Sequence, residues 1–284
     1  MRNAIRSSRG VAGAVIVALM LLGGQAHAQV TFPADGAFLP LRCDDMPMTD
    51  AFADESGALN ERDIVGDRDN PAGLRASDAT NLYLRMRLEE DPAPGGAVRQ
   101  FSWGMEFDLN DDQNNYELLI LVDGTAGAAG TVQLFTNMTT TLPNDPNDPA
   151  DQPAAQTYTF ANNARTVAVA SNFGGSADSF LDFAVPWSAL IPLGLDHDTP
   201  THVWAATSSS PNSLNGDFAC HMGGTGAPTL TGTASDPTTG DPNDPGAGGG
   251  TGRLEGGGGC TTTGGASSLM ALALLAVRRK RRPH

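Results

Sequence analysis

Apolar and polar residues alternate along much of the stretch between residues 82 and 207, the spacing expected of strands with one buried face. In Leu82-Tyr83-Leu84-Arg85-Met86-Arg87-Leu88 the Leu and Met side chains fall on one face, Tyr and Arg on the other. The alternation is cleaner in Phe101-Ser102-Trp103-Gly104-Met105-Glu106-Phe107-Asp108, which places Trp103 with Phe101, Met105 and Phe107 on a core face. Tyr116-Glu117-Leu118-Leu119-Ile120-Leu121-Val122-Asp123 is apolar on both faces at its centre and predicts an interior strand. Further strands are predicted at 131–137, 157–160, 166–170, 180–185 and 202–207, separated by clusters of Gly, Asn, Asp and Pro. Pro186-Trp187-Ser188-Ala189-Leu190 predicts one short helical turn, with Pro at an early position. Many short strands without a long 3.6-residue period predict an all-β fold: an antiparallel β-sandwich of jelly-roll or immunoglobulin-like type. That single domain is expected over residues 29–221.

The two ends follow a different pattern. Arg2, Arg6 and Arg9 precede a short apolar run at 11–22, and Ala26-His27-Ala28 precedes Gln29. This is the layout of a secretory signal peptide over residues 1–28, removed before the chain folds. At the other end Gly256-Gly257-Gly258-Gly259 leads into Cys260, a short apolar stretch at 266–277, and Arg278-Arg279-Lys280-Arg281-Arg282. Positive charge stays cytoplasmic, which leaves Cys260 on the outer side of the inner membrane. The segment 222–259 between domain and tail holds almost no large apolar side chains and predicts a flexible Gly/Thr/Pro/Asp stalk. The stretch 143–153, with four Pro and three Asp, resembles the stalk in composition and predicts a long solvated loop.

Charge sharpens this division. The chain has 17 Lys+Arg against 32 Asp+Glu, a formal net charge of −15. The ends are basic and free of acids, so residues 29–260 carry 9 Arg, no Lys and all 32 acids, a balance of −23. Nucleic acid is therefore not an expected partner, since backbone binding needs clustered cations. A Walker-type nucleotide site is excluded by the missing Lys. Three Cys in a secreted chain leave one unpaired. If Cys260 is the anchor, Cys43 and Cys220 remain to form a disulfide between the two ends of the domain. The alternative, a reactive Cys220-His221 dyad, would require neighbours that point to opposite faces of a strand.

The run of glycines, Cys260, short apolar helix and basic cluster closely resembles the MYXO-CTERM sorting tail of myxobacterial surface proteins, over residues 260–284 and the glycines before them. The resemblance implies cleavage beside Cys260 by a myxosortase-type membrane protease, lipid attachment there and display on the outer-membrane surface. A plain tail anchor is the alternative. A second resemblance is broader and less specific. Asn81-Leu82-Tyr83-Leu84, then Trp103 to Asp108 with its acidic turn, then Phe180-Leu181-Asp182-Phe183-Ala184-Val185-Pro186-Trp187 with Leu190 are similar to the DOMON-like and family 9 carbohydrate-binding-module sandwiches. Members of those families bind sugars or haem. Haem is not expected here: Met86, Met105 and His202 are the conceivable ligands, and core packing is the ordinary role of Met.

Candidate chemistry lies in two places. Asp108, Asn110, Asp112 and Asn114 offer oxygen ligands at alternate positions, a spacing that suits calcium. Gln113 and Leu119 stand where an EF-hand needs Gly and Glu, so that motif is excluded, and a metal-free polar hairpin turn is the competing reading. Tyr83, Arg85 and Arg87 share the polar face of their strand and form a candidate ligand-binding surface for a sugar or an anionic group. Tyr83, Trp103, Tyr116, Trp187 and Trp204 are the aromatics available for sugar stacking, with core packing the better expectation for Trp103. No G-x-S-x-G, H-E-x-x-H or C-x-x-C motif occurs. The expected function is a non-catalytic, surface-anchored binding or adhesion module for carbohydrate or matrix, stabilised by calcium. The alternatives are a glycoside-type hydrolase with an acid pair and a purely structural coat protein.

Overall fold

The computed structural model describes residues 29–43, 46–54, 59–110, 115–220 and, as backbone, 230–233. In chain order its strands are β1 (Leu39–Pro40), β2 (Arg42–Cys43), β3 (Met46–Pro47), β4 (Gly73–Ser77), β5 (Asn81–Leu88), β6 (Ser102–Asp108) and β7 (Leu118–Asp123). They continue with β8 (Thr131–Thr136), β9 (Gln156–Thr159), β10 (Ala164–Ala168), β11 (Ser179–Pro186), β12 (Pro200–Ser208), β13 (Phe218–Ala219) and β14 (Leu230–Thr233). Two single-turn helices, α1 (Phe160–Asn163) and α2 (Trp187–Leu190), complete the list of regular elements apart from short 3-10 turns.

The strands form two antiparallel sheets. The first runs β1-β4-β5-β11-β10 and the second β13-β12-β6-β7-β8-β9. A small hairpin of β2 and β3 stands apart, and β14 pairs with the Pro200–His202 end of β12. The expected all-β antiparallel sandwich is the fold of this chain. The period-two pattern sets the inner faces: Leu82, Leu84, Met86 and Leu88 from β5 pack with Trp103, Met105 and Phe107 from β6 and Leu118, Ile120 and Val122 from β7 in one central core. Met86 and Met105 thus have the core role expected of methionine.

Each sheet also has an apolar outer face, and each is covered. Leu119 and Leu121 of β7 join Tyr116, Phe135, Trp204 and Leu214 outside the second sheet. This is why the centre of β7 is apolar on both faces, as an interior strand requires. Outside the first sheet, Tyr83, Phe180 and Ala184 pack with Phe38 and Leu74, and Val30 and Phe32 close over them.

Two sequence expectations are corrected. The stretch 143–153 is not a solvated loop. Pro146, Asp148 and Ala150 are buried, and Ala150 belongs to the apolar cluster outside the second sheet. The Asp148 carboxylate organises it: Oδ1 accepts from the Thr141 and Leu142 N–H groups at 2.9 and 2.7 Å, and Oδ2 from Asn137 Nδ2 at 3.0 Å. The Tyr116 hydroxyl donates to the Asp148 carbonyl at 2.5 Å, which ties the loop down onto the sheet. Composition misled because three Asp look solvated until one is surrounded by donors. The stalk expected over 222–259 also contains β14, whose backbone extends the edge of the second sheet. The signal segment 1–28 and the sorting tail 260–284 lie outside the described residues.

Candidate metal centre

The disulfide expected from cysteine arithmetic is present: Cys43 and Cys220 are bonded, with Cα atoms 5.7 Å apart and 177 residues between them in sequence. In the chain-entropy model closing so long a loop contributes at most about 5 kcal/mol. The bond joins β2, near the start of the domain, to the residue that follows β13.

Beside it three carboxylates converge. Asp50 and Asp54 lie on the loop after β3, and Asp217 immediately precedes β13. One ligand oxygen from each of the three lies within 4.8 Å of the others. The backbone positions them. Asp50 exchanges both hydrogen bonds with Gly66, N to O at 2.9 Å and O to N at 3.0 Å. Gly66 packs so closely on the chain that an added Cβ would stand 2.4 Å from the Ala72 nitrogen. Asp217 is held by the Thr207 N–H on its carbonyl at 2.9 Å and by the Ile64 N–H on Oδ2 at 2.5 Å. Ala53, next to Asp54, adopts φ +60, a left-handed conformation that costs a non-glycine residue roughly 1–2 kcal/mol. Its N–H is fixed at 2.9 Å by Oδ2 of Asp63.

Electrostatically the centre is overloaded. Burial, followed by the charges of Asp217 and Asp54, raises the Asp50 carboxyl far above the usual carboxylate range. Burial also raises Asp63, and the charge of Asp54 adds to it. Behind them Glu89 is raised by burial, then by Asp63. Asp50 Oδ2, Asp63 Oδ1 and Glu89 Oε1 are buried without a hydrogen-bond partner. Such an arrangement can share protons among its carboxyls or hold a hard cation.

The residues singled out in the sequence are placed otherwise. Asp108 is buried; its Oδ1 accepts from the Asn110 N–H at 3.0 Å, and Glu117 takes the Leu109 N–H at 2.6 Å and Asn110 Nδ2 at 2.5 Å. These bonds tie the end of β6 to the segment that leads into β7. Asp112 and Asn114 lie outside the described residues.

Tyr83, Arg85 and Arg87 do share the outer face of β5, but that face is closed. Their exposures are 1, 1 and 5%. The Tyr83 hydroxyl donates to Asp78 Oδ2 at 2.7 Å, and burial, then Asp78, pushes its pKa up to about 12. Arg85 makes a two-pronged pair with Asp182, at 2.6 and 2.8 Å, and a third bond to Asp35 at 2.9 Å. Arg87 bonds the Pro71 carbonyl and the Ser171 hydroxyl. The open Tyr/Arg surface expected from the alternation is corrected: the N-terminal segment supplies Phe32 and Phe38 as a cover, and the guanidinium groups stack on Phe38 and Phe180 rather than face solvent. The sugar-stacking aromatics are likewise internal. Trp103, Tyr116 and Trp204 are wholly buried and Trp187 is 2% exposed, its ring 4.2 Å from that of His197.

The acid triad was not legible in advance. Its members are separated by up to 167 positions, and single Asp residues in an acid-rich chain carry no spacing signal. No family model, curated protein or solved structure matches the chain.

Proposed function

We propose that this chain is a secreted, surface-displayed β-sandwich without catalytic function, tethered through Cys260 and acting as a binding or adhesion module. The observation that carries the reading is the pairing of Cys43 with Cys220. It consumes two of three sulfurs and leaves the third within a tail that resembles a MYXO-CTERM signal. A lipid on Cys260 then follows as the anchor, with a myxosortase-type protease and outer-membrane lipid as the partners of maturation.

A carbohydrate platform built from Tyr83, Trp103, Tyr116, Trp187 and Trp204 is disfavoured by their burial. Glycan or matrix recognition would therefore use polar surface rather than stacked rings.

Intact-mass spectrometry of the native protein tests the anchor. The expected product begins at Gln29, ends at or near Cys260 and carries added lipid mass. An unmodified thiol with the arginine cluster still attached would overturn the reading. A glycan array probed with the purified protein tests the binding role; silence across it would favour a structural coat protein.

A further inference from the structure

We infer that the two segments closing the outer face of the second sheet, residues 137–154 and 209–216, form a pH-sensitive cover that opens when Glu106 loses its proton. The inference does not depend on how the chain is anchored.

Strand register places Glu106 under this cover. On β6 it stands directly opposite Trp204 of β12 and Leu119 of β7, and directly opposed residues share a face of the sheet. Trp204 and Leu119 belong to the outer apolar cluster, to which the two segments contribute Ala150 and Leu214. The segments are fastened to each other. The Ala150 N–H donates to the Asn212 carbonyl at 2.8 Å, Asn212 Nδ2 to the Ala150 carbonyl at 3.1 Å and the Ser213 hydroxyl to the Asn147 carbonyl at 2.9 Å. The Tyr116 hydroxyl on the Asp148 carbonyl and the Asp151 N–H on the Thr136 carbonyl hold them to the sheet.

Beneath them Glu106 is wholly buried, its Oε2 accepting from Trp204 Nε1 and its Oε1 without a partner. An ionised carboxyl there has one donor where water supplies several, and its charge is the form that burial penalises. The surrounding groups bring it no opposite charge. Asp148 and Asp145 of the first segment oppose a further negative charge, adding to the effect of burial against the Trp204 bond. Bonds from Thr141 and Asn137 outweigh burial at Asp148 and keep that carboxyl below its usual range, so the cover carries a standing negative charge. Tyr116 is neutral, its hydroxyl pushed up by burial and then by Glu106 and Asp148. Glu117 is turned to Leu109 and Asn110, and Asp217 to the Ile64 N–H. The next cross-strand pair from β6 to β12 on this face is Asp108 with His202. Because Glu106 lies on the outer face, water reaches its ionised form by parting the two segments rather than the core. The closed form has the raised carboxyl, so closure is complete at low pH and weakens as pH rises. Opening would bare the Tyr116 and Trp204 rings, which meet edge to face with centroids 6.3 Å apart.

The test is hydrogen–deuterium exchange of the full chain, corrected for the intrinsic pH dependence of amide exchange. Peptides spanning residues 137–154 and 209–216 are read against peptides from β5 and β11. Between about pH 5.5 and about pH 8.5 the protection of the cover should fall at least about tenfold, the change expected for each unit by which the closed form raises the carboxyl. Protection in β5 and β11 should stay the same. Glu106→Gln cannot ionise and should hold the protection of the cover constant over that range. Glu106→Met makes the same comparison with an apolar side chain of similar length, and decides the matter if the Gln variant does not fold. The inference is overturned if the cover of the parent shows no pH dependence, or if its protection falls equally in the variants that cannot ionise. It is equally overturned if β5 and β11 lose protection in step with the cover, since that is unfolding of the whole domain rather than opening of one face.

Discussion

Outside the first sheet, Arg85 is buried between the rings of Phe38 and Phe180, whose centroids lie 3.8 and 4.3 Å from its guanidinium carbon. Asp182, fully buried, accepts two of its hydrogen bonds and a further one from Arg165 at 2.8 Å. Outside the second sheet, Glu106 is buried as deeply, but among the described residues no cation pairs with it. Its Oε2 accepts from Trp204 Nε1 and its Oε1 has no partner. One face neutralises its buried charge with an opposite charge. At Glu106 burial instead favours the neutral carboxyl. Burial raises the Glu106 carboxyl well above its usual range; the Trp204 bond lowers it, and the nearby charges of Asp148 and Asp145 raise it further. At Arg85 burial acts against the cation, and the bonds and charge of Asp182 outweigh it, so its pKa rises. A chain with 9 Arg against 32 acids in its central part has too few cations to pair every buried acid.

The comparison can be broken most severely at Asp182. Asp182→Ala leaves the buried guanidinium with only the exposed Asp35 as a carboxylate partner and should cost about 3–5 kcal/mol, a fall in melting temperature on the order of 10 °C for a domain of this size. Replacing both partners, Arg85→Met with Asp182→Leu, should restore most of that loss. Recovery of nothing would mean that the pair contributes more than mutual neutralisation.

Glu106→Gln should act in the opposite sense. The folded-state pKa of Glu106 is raised, so its contribution is fully present below the unfolded value of about 4.5 and is lost as pH rises towards the folded value. Across that window the parent should lose up to about 1.4 kcal/mol per pH unit from this group. The Gln variant should lack that component, so that its stability relative to the parent improves in urea titrations as pH rises above about 4.5. Parallel pH profiles for the two proteins would rule out a buried, protonated Glu106.

The mildest change is Tyr83→Phe. It removes the hydroxyl from Asp78 but leaves that carboxylate the Thr80 and Asn81 N–H groups at 2.7 and 2.8 Å. A loss of about 1 kcal/mol, or roughly 2–4 °C in melting temperature, is expected. A much larger fall would show that the cover over the first sheet depends on this one bond.

Particular elements mark how far the alternation could be read. β5, β6, β7, β11 and β12 stood out because their inner residues recur every second position. β4, Gly73-Leu74-Arg75-Ala76-Ser77, escaped because it is short and carries one large apolar side chain. The two-residue strands β1, β2, β3 and β13 have no period to detect. At the candidate metal centre the adjoining disulfide was foreseeable by counting sulfurs, whereas the triad depends on three acids brought together by folding.

From the residues in order alone came the strand content, the sandwich and the identity of its inner faces, because side-chain alternation is a local property of an extended chain. Folding in three dimensions chose what covers the outer faces and where acids meet. It placed residues 30–38 over Tyr83 and Arg85, laid the Asp148 loop across Tyr116 and Trp204, and drew Asp217 to Asp50 and Asp54. The physical reason is that polarity along a strand says which side differs from the other, but solvent access to that side depends on distant segments whose packing no local period records.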